Sequence, residues 1–301
     1  MRVPSSAARR RQERAARRAN RLYDRQRAEA RNGLVHGPYL TARPQCTLTL
    51  ARGGACMKVR RKFAQPLPNT YHAPRGVVRE FSRRSRTRLQ QNLCAIPIAH
   101  VGRGLLFVTL TYPRAYPGTW RVWKRHLDTW IKRLRRRRPA CAGVWKLEPQ
   151  KRGAPHFHLL VVGAPFIDRE WLSQSWYEVV GSRDARHLAA GTQVAMARSH
   201  RGVVAYAAKY VAKYEALPAD WSEGVGRWWG VFNRAGLGIE WLHAPLSQPM
   251  FYAVVRQLRA LVAHRGGALA RSPPNWGASG CWGVVREELG ARIYGAIAAR
   301  W

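Results

Sequence analysis

Glu148, His156 and His158, followed by Tyr206, Lys209, Tyr210 and Lys213, are the residues of this chain whose types and spacing are suited to chemistry. The first three lie in the run Glu148-Pro-Gln-Lys-Arg-Gly-Ala-Pro-His156-Phe157-His158-Leu-Leu-Val-Val. In a strand, residues two apart point to the same face, so both imidazoles are presented together while Phe157 turns to the other side. A hairpin turning around Lys151-Arg152-Gly153 brings Glu148 opposite His156. Two imidazoles and one carboxylate leave positions open on a divalent ion for water or a phosphate oxygen. These ligand types suit Zn²⁺ or Fe²⁺ as well as Mg²⁺ or Mn²⁺. The plain alternative is a strand whose histidines bond only backbone or water.

Tyr206, Tyr210 and Tyr214 follow one another at intervals of four in Tyr206-Ala-Ala-Lys209-Tyr210-Val-Ala-Lys213-Tyr214. On a helix they form one stripe with about 40° of drift per step, and Lys209 and Lys213 lie on a neighbouring stripe. A phenol has a pKa near 10, so phenolate at pH 7 costs about 4 kcal/mol. A metal ion that polarises a phosphate supplies several kcal/mol, and a lysine ammonium stabilises phenolate or phosphorane charge. A phosphotyrosine ester keeps the energy of the broken bond, so a 3′-hydroxyl can reseal the strand. A second tyrosine one turn away can attack the next phosphate. The structural alternative places the tyrosines at a core boundary.

The elements that must position these groups are legible in outline. Residues 77–93 are expected to form a helix bearing Arg83, Arg84 and Arg86. Leu105 to Tyr112, β-branched and aromatic and stopped by Pro113, reads as a strand. Trp123, Leu127, Trp130, Ile131 and Leu134 recur at helical spacing in a helix over 119–138, whose last turn holds Arg136. The metal hairpin is expected over 142–148 and 156–162. A helix over 168–180 with Asp168 as N-cap, a strand at 192–197, the tyrosine helix at 203–215 and a strand around 226–232 follow. Helices are expected at 248–264 and 284–299. Ahead of these lie a basic, partly disordered arm (1–40) and a linker or irregular segment (41–75), with a loose hairpin around 47–63. The domain carrying the chemistry spans 76–245, and 246–301 is a helical extension.

Lys and Arg outnumber Asp and Glu 53 to 16, a formal charge of +37. A surface so charged implies a polyanionic partner, nucleic acid first. No run reaches the roughly 18 apolar residues of a spanning helix, so no membrane partner is expected. The five scattered cysteines make no C-x-x-C pair, which fits a reducing cytoplasm rather than a disulfide framework. No G-x-x-x-x-G-K-[ST] loop is present, so a fused motor is not supported.

The order Phe107-Val-Thr-Leu-Thr-Tyr112, Pro155-His156-Phe157-His158 and Tyr-x-x-Lys-Tyr-x-x-Lys resembles the three motifs of HUH endonucleases, in particular the rolling-circle replication initiators of small phages and plasmids. The resemblance covers residues 76–235. It implies an α+β fold, a central antiparallel sheet with flanking helices and a ferredoxin- or RRM-like palm. It implies Tyr206 and Tyr210 as paired nucleophiles, Lys209 and Lys213 as their lysines, and Tyr214 as an extra. Single-tyrosine relatives would instead use Tyr210 with Lys213. His156, His158 and Glu148 correspond to the metal ligands, with Mg²⁺ or Mn²⁺ as the ion. Arg83, Arg84, Arg86, Arg136 and Arg152 are the candidates for DNA contact. The implied activity is nicking of single-stranded origin DNA, giving a 5′-phosphotyrosine and a 3′-hydroxyl primer, with later rejoining. A host helicase and DNA polymerase, and the cytoplasm of a bacterial host, complete the expectation. A transposase of the same superfamily and a non-catalytic basic nucleic-acid-binding protein are the alternatives.

Overall fold

Two strands open the described chain, β1 (Gln45–Ala51) and β2 (Cys56–Lys62). In this computed structural model the described residues are 45–62, 78, 80–100, 104–197, 217–221, 224–264 and 280–298. The chain divides into two compact units, residues 1–45 with 62–70 and residues 46–61 with 71–301. The elements named below lie in the second unit, apart from the end residues of β1 and β2. The arm expected over 1–40, the linker prolines Pro66, Pro68 and Pro74, and the tyrosine helix over 203–215 lie outside the described residues.

Helix α1 (Arg83–Ala95) begins later than the helix expected from residue 77. Its start is set by Ser82, whose hydroxyl accepts from the Ser85 amide at 3.3 Å, a cap that satisfies one of the orphan donors of the first turn. Next come β3 (Leu106–Thr111), α2 (Trp120–Arg137), β4 (Ala142–Pro149) and β5 (Pro155–Val162). Thr119 caps α2, and its buried stripe is Trp123, Leu127, Trp130, Ile131 and Leu134. That stripe is the helical face the periodicity implied. Helix α3 (Arg169–Val180) is capped by Asp168, which accepts from the Trp171 amide at 2.7 Å. It ends at Gly181, whose φ of +66° is the left-handed turn that glycine adopts without strain. A short helix not expected from sequence, α4 (Ala185–Ala190), precedes β6 (Thr192–Met196).

The central sheet has the order β6-β3-β5-β4-β7, where β7 is Trp229–Phe232. All its pairings are antiparallel. On β3, Leu106, Val108 and Leu110 are buried while Phe107, Thr109 and Thr111 are half-buried. One face of the sheet is therefore sealed and the other reachable. Helix α2 covers the sealed face: Lys124 Nζ lies 4.1 Å from the centre of the Trp145 ring and 5.4 Å from that of Phe157. Both rings alternate with the candidate site residues along β4 and β5. Burial pushes the Lys124 ammonium well below its ordinary pKa, and its hydrogen donates to the Arg227 carbonyl at 2.7 Å. A run of rings, Trp123–Trp221–Trp228–Phe81, with centroids 4.6, 6.4 and 5.9 Å apart, links α2 to the chain just before α1.

A second sheet has the order β8-β1-β2-β9, with β8 at Trp241–Leu246 and β9 at Gly280–Val284. It realises the hairpin expected around 47–63 and adds two strands that the sequence did not reveal. Its core joins Leu48, Leu50, Met57 and Val59 to α5 (Gln248–His264) through Phe251, Val254, Val255 and Leu258. Those four positions, spaced i, i+3, i+4 and i+7, are one face of a helix. Helix α6 (Glu287–Ala298) adds Ile297. Both C-terminal helices thus fall where periodicity placed them, at slightly different ends.

Gly143 on β4 tests the packing between the site hairpin and its neighbour. A Cβ there would lie 2.5 Å from the Phe232 ring and 2.6 Å from the Leu160 carbonyl oxygen. The backbone oxygen cannot swing away. Gly143→Ala is expected to destabilise the protein by roughly 1–3 kcal/mol in urea titration; an unchanged midpoint would contradict the packing described.

Candidate active site

Register places the chemistry. Across β4, β5 and β3, Glu148 pairs with His156 and His156 with Thr111, while in the adjoining row Lys146 pairs with His158 and His158 with Thr109. Because side chains alternate, these six point to the reachable face, with Phe157 turned to the sealed one and fully buried. The hairpin expected between Glu148 and His156 exists, and its glycine, Gly153, takes a φ of +79°. A Cβ at Gly153 would meet the Asp220 carboxylate at 2.9 Å, so the tight turn and its neighbour both require glycine.

His158 Nε2 lies 3.3 Å from Glu148 Oε2. Two donors each about 2.0–2.2 Å from one ion stand roughly 3.0–3.5 Å apart, so this pair has the separation of neighbouring ligands. The rings of His156 and His158 are 4.4 Å apart, edge to face. On the other side, both Nδ1 atoms meet threonines: His156 to Thr111 Oγ1 at 2.9 Å and His158 to Thr109 Oγ1 at 3.5 Å. Hydroxyls at Nδ1 fix ring orientation and direct Nε2 toward an ion, as outer partners of metal-binding histidines do. The donor kinds and the one measured donor spacing therefore fit a divalent ion. Among the described residues, however, no three His, Cys, Asp or Glu side chains close around one point as a finished metal cage would. Lys146 Nζ stands 3.5 Å from the same Glu148 oxygen.

The threonine that orients His156 is itself held. The Thr111 carbonyl accepts from Trp176 Nε1 at 2.8 Å and lies 2.8 Å from His187 Nε2. Burial lowers the His187 pKa, only partly offset by the Thr111 carbonyl and Asp184. Buried Tyr112 follows, its hydroxyl 3.0 Å from His126 Nδ1. Thr109, Thr111, Lys146 and His187 were all absent from the sequence-derived site. The alternation of β3 and β4 carried the signal for the first three, since they share parity with the histidine and glutamate positions.

The arginine candidates separate. Arg83 and Arg84 are exposed on the first turn of α1 and Arg86 is half-buried. This helix is tied to the reachable side of the sheet by Trp229 Nε1, which donates to Ser85 Oγ at 3.0 Å, and by Phe81, whose ring centre is 5.4 Å from Lys146 Nζ. Arg136 is exposed at the end of α2, on the helix that covers the opposite face. There it lines a groove of about 1100 Å³ together with Arg137, Arg169, Trp171, Asp168 and Glu170. Arg152 is committed to the backbone: Nη1 donates to the Pro113 carbonyl at 2.8 Å, Nη2 to the Tyr112 carbonyl, and Nε to Gln150 Oε1 at 3.1 Å. The guanidinium thus clamps the hairpin turn to the end of β3.

Tyr206, Lys209, Tyr210, Lys213 and Tyr214 lie outside the described residues. The chain before them leaves β6 at Ala197, whose amide donates to the Leu105 carbonyl at 2.8 Å. The chain after them holds Trp221, whose Nε1 donates to the Gly153 carbonyl at 2.9 Å in the hairpin turn.

Two outcomes follow. Arg152→Ala is expected to lower stability by roughly 1.5–3 kcal/mol through lost charge-assisted bonds, and to leave the salt dependence of DNA binding unchanged. A direct phosphate contact would instead reduce that slope by about one. For His187, the folded pKa lies below the ordinary 6.5, so protonation favours the unfolded chain. Its contribution is complete above pH 6.5 and is lost as pH falls toward the folded value. His187→Gln is expected to flatten the decline of the urea midpoint below pH 6.5; identical slopes would contradict this.

Residues 105–215 match a family model described as Replication-associated protein ORF2. The stretch takes in Glu148, both histidines and the tyrosine segment. No curated protein and no solved structure matches the chain. Among the described residues no helix is long and apolar enough to cross a membrane. Over the matched stretch the chain is similar to replication-associated proteins, which supports a role in replication.

Proposed function

We propose that this protein is an HUH-type rolling-circle replication initiator, nicking and rejoining single-stranded origin DNA through tyrosine. The observation that carries the reading is the polar face of β3, β5 and β4. There His156, His158 and Glu148 share one side of the sheet, with Glu148 Oε2 and His158 Nε2 at a ligand-like 3.3 Å. The same stretch that matches replication-associated proteins holds Tyr206 and Tyr210. The chain on either side of them is anchored at the sheet, by Ala197 and Trp221.

In this reading His156, His158 and Glu148 hold Mg²⁺ or Mn²⁺. When bound, the ion withdraws charge from the scissile phosphate, a contribution of several kcal/mol. Thr111 and Thr109 keep the imidazoles turned to receive it. Tyr206 and Tyr210 are the nucleophiles. A phenol oxygen bonds to phosphorus while the bond to the 3′ oxygen breaks, so that oxygen leaves as the primer hydroxyl and the 5′ phosphate stays on tyrosine. Lys209 and Lys213 lower the cost of phenolate, about 4 kcal/mol at pH 7 for an unassisted phenol. Arg83, Arg84 and Arg86 on α1 are placed to follow the strand along the reachable face. A chain with formal charge +37 concentrates DNA by counterion release, and a host helicase and polymerase supply unwinding and synthesis.

Labelled origin oligonucleotide incubated with the protein and Mn²⁺ is expected to give an SDS-resistant adduct. Tyr206→Phe combined with Tyr210→Phe is expected to abolish it, and His156→Ala with His158→Ala to reduce it by a factor of roughly 10³ or more. An adduct that survives the double phenylalanine change would contradict the assignment of the nucleophiles.

A further inference from the structure

We propose that Lys146 is a resident counter-cation of this site, competing with the divalent ion for Glu148; the inference rests on the metal assignment above. Lys146 sits two residues before Glu148 on β4 and opposite His158 on β5, so its side chain enters the same face. It is 3% exposed. Its Nζ lies 3.5 Å from Glu148 Oε2, the oxygen that His158 Nε2 approaches to 3.3 Å. The ring of Phe81 covers the ammonium, 5.4 Å from its centre.

A buried ammonium needs an anion, and Glu148, itself 9% exposed, is the carboxylate that answers it. A divalent ion that bonds Glu148 brings a second positive centre to the same oxygen. Like charges a few ångströms apart repel strongly where water is excluded, so the ion binds only as the ammonium gives way. The protein without DNA therefore has weak metal affinity. An incoming phosphate offers the ammonium a replacement anion, so metal and DNA favour each other's binding, as linkage requires. Lys146 links the two without contacting the tyrosines.

The experiment is titration of Mn²⁺ into the full-length protein without DNA, read by the electron paramagnetic resonance signal of free Mn²⁺. Lys146→Met is expected to bind Mn²⁺ roughly ten-fold or more tightly than the native protein, because one charge no longer opposes the ion. Lys146→Arg is expected to match the native protein. Lys146→Gln, which keeps a donor for Glu148, reads the same gain if the methionine variant does not fold. A merely structural lysine predicts weaker binding on removal, so unchanged or weaker affinity with an intact near-ultraviolet circular dichroism spectrum would overturn the proposal. If the native protein binds Mn²⁺ and the variants show no gain, this proposal alone falls. If neither native protein nor variants bind Mn²⁺, it falls together with the metal assignment.

Discussion

The antiparallel register of β4 against β5 is the constraint on which the rest depends. It sets Glu148 against His156 and Lys146 against His158. A slip of one residue would turn every one of these side chains into the opposite face. Register is pinned from several directions. Gly153 makes the turn in a conformation that other residues rarely adopt, and Trp221 donates to its carbonyl. Arg152 ties the turn to the exit of β3, and Phe157, Leu159 and Val161 are buried on the sealed side. The apolar half of each strand thus determines where the polar half points.

That arrangement confronts the protein with an electrostatic problem. A lysine, a glutamate and two histidines share one face of a sheet, and two of them, Lys146 and Glu148, are nearly excluded from solvent. Desolvation of each charge costs several kcal/mol unless a partner offsets it, and here each offsets the other. Hydroxyls from β3 serve the imidazoles, and the backbone supporting Thr111 is itself held by Trp176 and His187. The layers behind the site, α2 and α3, serve orientation. The groove they form lies on the other side of the sheet, and its arginines face three carboxylates, Asp168, Glu170 and Glu178, so it lacks the one-signed charge of a phosphate track.

Much of this was legible from residue order because its causes are local. A two-residue period with a Gly turn defines the hairpin, Asp168 announces its own helix, and the tryptophan and leucine spacing of α2 is a helical stripe. Lys146 was equally readable from parity but is easily passed over, since a lysine in a strand ordinarily suggests a solvated edge. Arg152 shows the converse: sequence reveals a positive charge in a turn, whereas three nearby carbonyls decide what it does. The second sheet was least accessible. Its pairings join Cys46 to Leu246 and Cys56 to Val284, and no local pattern encodes a partner two hundred residues away. Ser82 moved the start of α1 because a single cap outweighs helix propensity upstream.

The central claim is that the histidine face and the tyrosine segment act on one phosphodiester. Iron-directed backbone cleavage tests it most directly: Fe²⁺ loaded in place of Mg²⁺ or Mn²⁺, with ascorbate and peroxide, cuts polypeptide close to the ion. The account predicts cuts at 146–158 and a second set within 203–215, both suppressed by excess Mn²⁺. Cuts around the hairpin with none near Tyr206 or Tyr210 would contradict it.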